Sequence, residues 1–186
     1  MTRALIVVDI QNDYFPGGAY PLAVPEEAAT QARLLLDAFR DSGETIVHMQ
    51  HVWDAPDAAF MRPGTEGVEI HELVAPADGE MVLQKSRPNS FRDTGLESFL
   101  RNRKRRVDTL VVCGMMTSMC VDATVRAAAD LGYAVTVAHD ACATRDLVFG
   151  GQTVPAGQVH AAFLAALSDA YAEVVTAAEA SSSSSS

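Results

Sequence analysis

The sequence predicts a single-domain α/β protein: a doubly wound, mostly parallel sheet of about six strands with helices on both faces, in a Rossmann-like three-layer arrangement. Three observations predict it. Short Val-rich runs recur along the chain, longer helical patterns separate them, and the runs are apolar at successive rather than alternate positions. Strands covered by helices on both faces must look that way. Strand–helix–strand repetition with right-handed crossovers then closes on a doubly wound sheet. At 186 residues one core is expected rather than two. Residues 1–178 are read as the domain. Residues 179–186, nearly all serine, are read as a disordered tail.

The elements follow in order. Leu5-Ile6-Val7-Val8 is the first strand, ending on Asp9. Glu26 to Ser42 carries apolar positions at Ala32, Leu35, Leu36 and Phe39 and stops at Gly43, so it reads as a helix with a C-terminal glycine. Thr45 to Met49 is the second strand and Met81 to Leu83 the third. Between them lies a long irregular stretch from Val52 to Gly79, which a compact domain keeps for function or packs upon itself. Thr94-Gly-Leu-Glu97 has the spacing of a capping box opening a helix to about Arg103. Thr109 to Cys113 is the fourth strand, followed by a helix from Cys120 to Leu131 that stops at Gly132. Ala134 to Ala138 is the fifth strand. Ala143 to Pro155 is a second irregular stretch. Gln158 to Tyr171 is the last long helix, and Glu173 to Thr176 a weak sixth strand.

Composition excludes several classes. The net charge of -10 argues against nucleic acid or an anionic membrane surface as partner. The cationic run Arg101 to Arg106 at a helix end needs only solvation and the helix dipole. Three cysteines with no CxxC spacing do not make a disulfide framework or a zinc ribbon. The opening apolar run reads as a strand rather than a leader. No stretch is long enough to span a bilayer. Reduced thiols without an export signal predict the cytoplasm.

In an open parallel sheet, ligands bind beyond the carboxyl ends of the strands. Asp9 follows the first strand, Lys85 the third, and the segment Gly114 to Cys120 joins the fourth strand to its helix. A carboxylate, an ammonium and a thiol are thus delivered to one rim. At a helix N-terminus the peptide dipoles favour a thiolate, and free N–H groups can receive an oxyanion. Asp9 can take the thiol proton while Lys85 holds the carboxylate ionised. A buried structural cysteine fits Cys120 about as well on position alone. Cys113 and Cys142 fit that description better.

Asp9 in ALIVVDIQNDYF, Lys85 in VLQKSRPNSF and Cys120 in GMMTSMCVDATVRAA, in this order, resemble the isochorismatase-like cysteine hydrolase superfamily over roughly Arg3 to Val175. The resemblance implies a catalytic triad of Asp9, Lys85 and Cys120. It also implies a non-proline cis peptide at Met115–Met116 and an oxyanion hole formed by the backbone N–H groups of Met116 and Cys120. The implied reaction is a two-step hydrolysis of a small amide, ureide, carbamoyl or lactam C–N bond through a thioester. A nucleophilic cysteine argues against the vinyl-ether cleavage of isochorismate itself, which is the alternative within the family. The nicotinamidase branch carries an Asp-x-His metal pair after the second strand. Here that place holds His48-Met-Gln-His51, whose histidines, three apart on a strand, face opposite sides. No metal and no cofactor are expected. The partner is a small-molecule substrate, and the resemblance implies a homo-oligomer, dimer or tetramer.

Other residues are weighed beside the triad. Tyr14, His51, Trp53, Phe60 and Phe91 are candidate pocket walls; for each, a purely packing role is as natural. Gln11 and Asp13 suit hydrogen bonds within the turn, and Asp140 suits a backbone cap. Two rival readings remain. A dinucleotide-binding domain needs a glycine-rich turn after the first strand, and DIQNDYFPGG has none. A redox-sensing thiol needs a resolving cysteine near Cys120.

Overall fold

The computed structural model describes residues 2–102 and 106–182. Its main sheet contains β1 (Arg3–Val8), β2 (Thr45–His51), β3 (Met81–Lys85), β4 (Thr109–Met115), β5 (Ala134–Ala143) and β8 (Glu173–Val175), in the order β3-β2-β1-β4-β5-β8. Every pairing is parallel. All six strands fall on the apolar runs read from the sequence. The helices are α1 (Pro25–Ser42), α2 (Leu96–Leu100), α3 (Asp122–Asp130), α4 (Ala156–Ala170) and α5 (Ala177–Ser182). The sheet order reverses direction at β1, so the carboxyl ends of β1 and β4 border the crevice.

The two faces of β1 explain why its sequence is apolar throughout. Leu5 and Val7 enter one core layer with Leu35, Leu36 and Phe39 of α1. Ala4, Ile6 and Val8 enter the other, with Leu96, Leu100, Val125 and Leu167 from α2, α3 and α4. Full burial of each large aliphatic side chain stabilises by about 1.5–3 kcal/mol. α1 ends where expected, with Gly43 left-handed at φ 68° and its N–H returned to Arg40 and Phe39.

Three expectations need correction, and a fourth is met. The stretch 143–155 is no plain loop: β6 (Leu147–Phe149) and β7 (Gln152–Val154) form an antiparallel hairpin turning at Gly150-Gly151. Two consecutive glycines, both with positive φ, supply the turn. The long stretch after β2 packs upon itself as expected, with short 3-10 turns at Glu66–Val68 and Glu72–Val74 and with Met61, Val68 and Val74 buried. The capping box does not close. Thr94 Oγ1 accepts from Leu96 N, but Glu97 pairs with Arg101, and α2 stops at Leu100; Arg103 lies outside the described residues. Finally, order reaches past 178. α5 runs to Ser182, its Ala177 and Ala180 are buried, and Arg3 Nη1 donates to Ala180 O at 2.9 Å. The alanines before the serine run pack on the core; residues 183–186 lie outside the described set.

One glycine sets the sheet spacing. Gly114 on β4 pairs with Val8, has φ +133°, and a Cβ there would collide with the Val8 carbonyl. Only glycine lets β4 approach β1 so closely.

Candidate active site

Three segments converge on the carboxyl rim. Asp9 leaves β1 in a left-handed conformation, φ 50°, with its N–H donated to Met49 O at 3.1 Å. That conformation is strained for a residue with a side chain and occurs where the surroundings enforce it. Here it turns the carboxylate from the end of the strand toward β3. Lys85 Nζ stands 2.7 Å from Asp9 Oδ2, both side chains fully enclosed. Lys85 also donates to the carbonyls of Arg87 and Pro88 at 3.0 and 3.3 Å, and its Nζ is 3.2 Å from His51 Nδ1.

Cys120 lies in a π-helical turn, Thr117–Val121, between β4 and α3. Such turns recur at functional sites because the widened ladder re-aims a side chain. Val121 N and Met119 N both reach Met116 O, at 3.1 and 3.0 Å. The Met115–Met116 peptide is cis, at the bond the resemblance named. One donor atom each from Asp9, His51 and Cys120 lie within 4.8 Å of one another. The thiol, carboxylate and ammonium read from three separate stretches are therefore together.

Electrostatics partly revises the expectation of a dipole-favoured thiolate. Burial, and then the Asp9 charge, raise the Cys120 thiol well above its usual value, with Lys85 acting in the opposite direction. The resting thiol holds its proton beside the carboxylate. Burial works against the Lys85 ammonium, but the Asp9 charge leads the opposing effects and the group stays protonated. His51 is lowered, chiefly by burial, and stays neutral. The Lys85 ammonium engages Asp9 Oδ2, while Oδ1 is buried without a donor of good geometry among the described residues. The Lys85–Asp9 contact is thus an ion contact, and the carboxylate retains accepting capacity.

The other candidate residues separate into groups. Burial chiefly pushes the Tyr14 phenol up, and its ring lies in the buried cluster that also holds Met115 and Met116. Tyr14 packs on Phe60 with centroids 6.0 Å apart, and Trp53 meets Phe60 edge-on at 5.5 Å. Phe91 is a correction. It stacks on Tyr133, at the opposite end of β5, within the core layer of α2, α3 and α4. Asn89 Oδ1 accepts Phe91 N and Ser90 N donates to Thr124, and this turn points the ring away from the rim. Gln11 and Asp13 brace loops as expected. Gln11 bonds both polar backbone groups of His51, and Asp13 accepts from Ala19 N and Met61 N. Asp140 caps Ala177 N at 2.7 Å. His48 and His51 point apart, as read: His48 pairs with Glu80 at 2.8 Å. His71 stacks on Phe15.

Two residues escaped the sequence reading. Tyr20 stacks on Phe60 at 4.3 Å, and the Arg145 guanidinium lies 4.5 Å above the Tyr20 ring with its Nε buried and unpartnered. Tyr20, in a loop rich in small residues, carries no periodic signal. Arg145 had one: it is the sole cation in a small-residue strand exit, ACATRD.

Comparison with known proteins agrees with this fold. Residues 3–179 match the model of the Isochorismatase domain. A crystal structure of a putative isochorismatase hydrolase from Oleispira antarctica superposes with TM-score 0.92 at 50% identity, covering 97% of this chain and 96% of that one. Streptothricin hydrolase of Streptomyces noursei is 39% identical over 172 residues, 90% of this chain and 60% of that protein. Ureidoacrylate amidohydrolase of Cronobacter turicensis is 31% identical over 171 residues, 74% of this chain and 73% of that protein. Among the described residues, no helix is long and apolar enough to cross a membrane.

Proposed function

The chain belongs to the isochorismatase domain family, and on that premise we propose that this hydrolase opens a small amide, ureide or lactam C–N bond with Cys120 as nucleophile. The observation that carries the reading is the enclosed contact of Asp9, Lys85 and Cys120.

Asp9 accepts the Cys120 proton as the sulfur adds to the substrate carbonyl. Removing the proton during attack suits a thiol that burial keeps neutral at rest. The backbone N–H groups of Met116 and Cys120 receive the oxyanion. Lys85 balances the negative charge shared between Asp9 and the sulfur. The C–N bond breaks, Asp9 returns the proton to the departing nitrogen, and a thioester remains on Cys120. Water, deprotonated by Asp9, adds to that thioester; the acid leaves and the sulfur regains a proton. Tyr14, Trp53 and Phe60 wall the substrate side, with His51 at its edge. The names of two relatives, a streptothricin hydrolase and a ureidoacrylate amidohydrolase, fit this bond class.

The test is a panel of small amides, ureides and lactams followed by ammonia or amine release, with intact-mass detection of an acyl adduct on Cys120. Turnover without any adduct, and undiminished in Cys120→Ala, would refute the mechanism.

A further inference from the structure

We propose that Asp9, His51 and Cys120 also form a reversible site for a borderline-soft divalent cation such as Zn2+, whose occupancy blocks the thiol. The donor set carries the inference. A sulfur, an imidazole nitrogen and a carboxylate oxygen converge within 4.8 Å, and three mixed ligands with an open fourth position suit Zn2+. Zn2+ bonds place neighbouring ligand atoms of a tetrahedral site about 3.5 Å apart, so the donors must draw in by about an ångström. A second observation points the same way. Asp9 is fully buried and Lys85 engages its Oδ2, yet Oδ1 has no donor of good geometry among the described residues. Buried polar atoms are nearly always partnered, so Oδ1 has accepting capacity left in a carboxylate that also neighbours the sulfur and the ring.

Lys85 is the competitor, in contact with both Asp9 and His51. It also donates to the Arg87 and Pro88 carbonyls, and these retain the ammonium when Asp9 turns to the metal. The same competition keeps binding reversible. On binding, a metal–sulfur bond forms and the thiol proton passes to solvent. The other histidine of β2 offers no such site, because its partner Glu80 is already held by Arg40 and Ala77 N.

The experiment titrates the metal-free protein anaerobically with Co2+ and follows the thiolate-to-cobalt absorption. No substrate is needed, so the outcome is independent of the hydrolase reading. The expected result is a saturable band at one equivalent. It should vanish in Cys120→Ser and bind at least about tenfold more weakly in His51→Ala. In the unmodified protein, Zn2+ should slow alkylation of Cys120 by iodoacetamide, and EDTA should restore it. A band that survives Cys120→Ser, or an affinity unchanged in a folded His51→Ala, overturns the site. Should His51→Ala misfold by circular dichroism, the alkylation assay decides alone, and alkylation indifferent to Zn2+ overturns it.

Discussion

β2 presents two histidines, and each meets an acid and a base, yet the two assemblies differ in kind. His48 sits with Glu80 and Arg40, and Glu80 is saturated: it accepts from Arg40 Nε and Nη2, from Ala77 N and from His48. Three residues along the strand, His51 sits with Lys85 and Asp9, and there the carboxylate meets one ammonium through Oδ2 and leaves Oδ1 without a donor of good geometry. A saturated carboxylate is fixed in one charge state and serves the fold. An unsaturated one, sealed beside a thiol, has accepting capacity to spend on a proton. Charge content alone does not distinguish the two; hydrogen-bond completeness does.

Mutations at the two ends should therefore part company. Cys120→Ala should cut turnover by roughly 10³-fold or more while thermal unfolding stays close to wild type; retained turnover breaks the comparison at its active end. Lys85→Met should affect both properties. It strands a buried charge, costing about 3–5 kcal/mol of stability by denaturant unfolding, and it slows hydrolysis by about 10²-fold. Glu80→Gln should leave turnover within about twofold and lower the melting temperature in a pH-dependent way. The Arg40 hydrogen bond, against the opposing effect of burial, lowers the Glu80 pKa to about 2 from 4.5. Since the folded value is the lower one, this stabilisation is complete above pH 4.5 and fades as pH falls toward 2. The melting gap between wild type and Glu80→Gln should close over that window. Phe91→Leu is the smallest effect: about 1 kcal/mol of stability, with kcat/KM unchanged if the ring serves only the Tyr133 stack.

The central strands were legible because β1 and β4 are buried on both sides and so written in almost unbroken apolar residues; Leu5 to Val8 could hardly be anything else. Asp9, Lys85 and Cys120 were legible because a chemical side chain directly follows an apolar run or opens a helix, and the sheet rule brings such positions to one rim. Phe91 misled because sequence proximity to Lys85 says nothing of the direction a turn sends a ring. The 143–155 hairpin hid because its strands are three residues long and half exposed, too short for any period to register. The aromatic group of Tyr14, Tyr20, Trp53 and Phe60 is assembled from two distant loops, and no local pattern encodes such a meeting. α5 was overlooked because it is only 6 residues long and its last turn runs into the serines.

Gly114 has a consequence for how this rim can evolve. It lies opposite Val8, just before Asp9, on the strand that leads into the Cys120 turn. Adding a single methyl there would wedge the two middle strands apart at the point where acid and sulfur must stay in reach. Such a variant would keep its outer architecture and lose the gap tolerance on which proton transfer depends. The narrowest tolerance in the molecule thus belongs to a residue with no side chain, which touches no substrate and titrates at no pH.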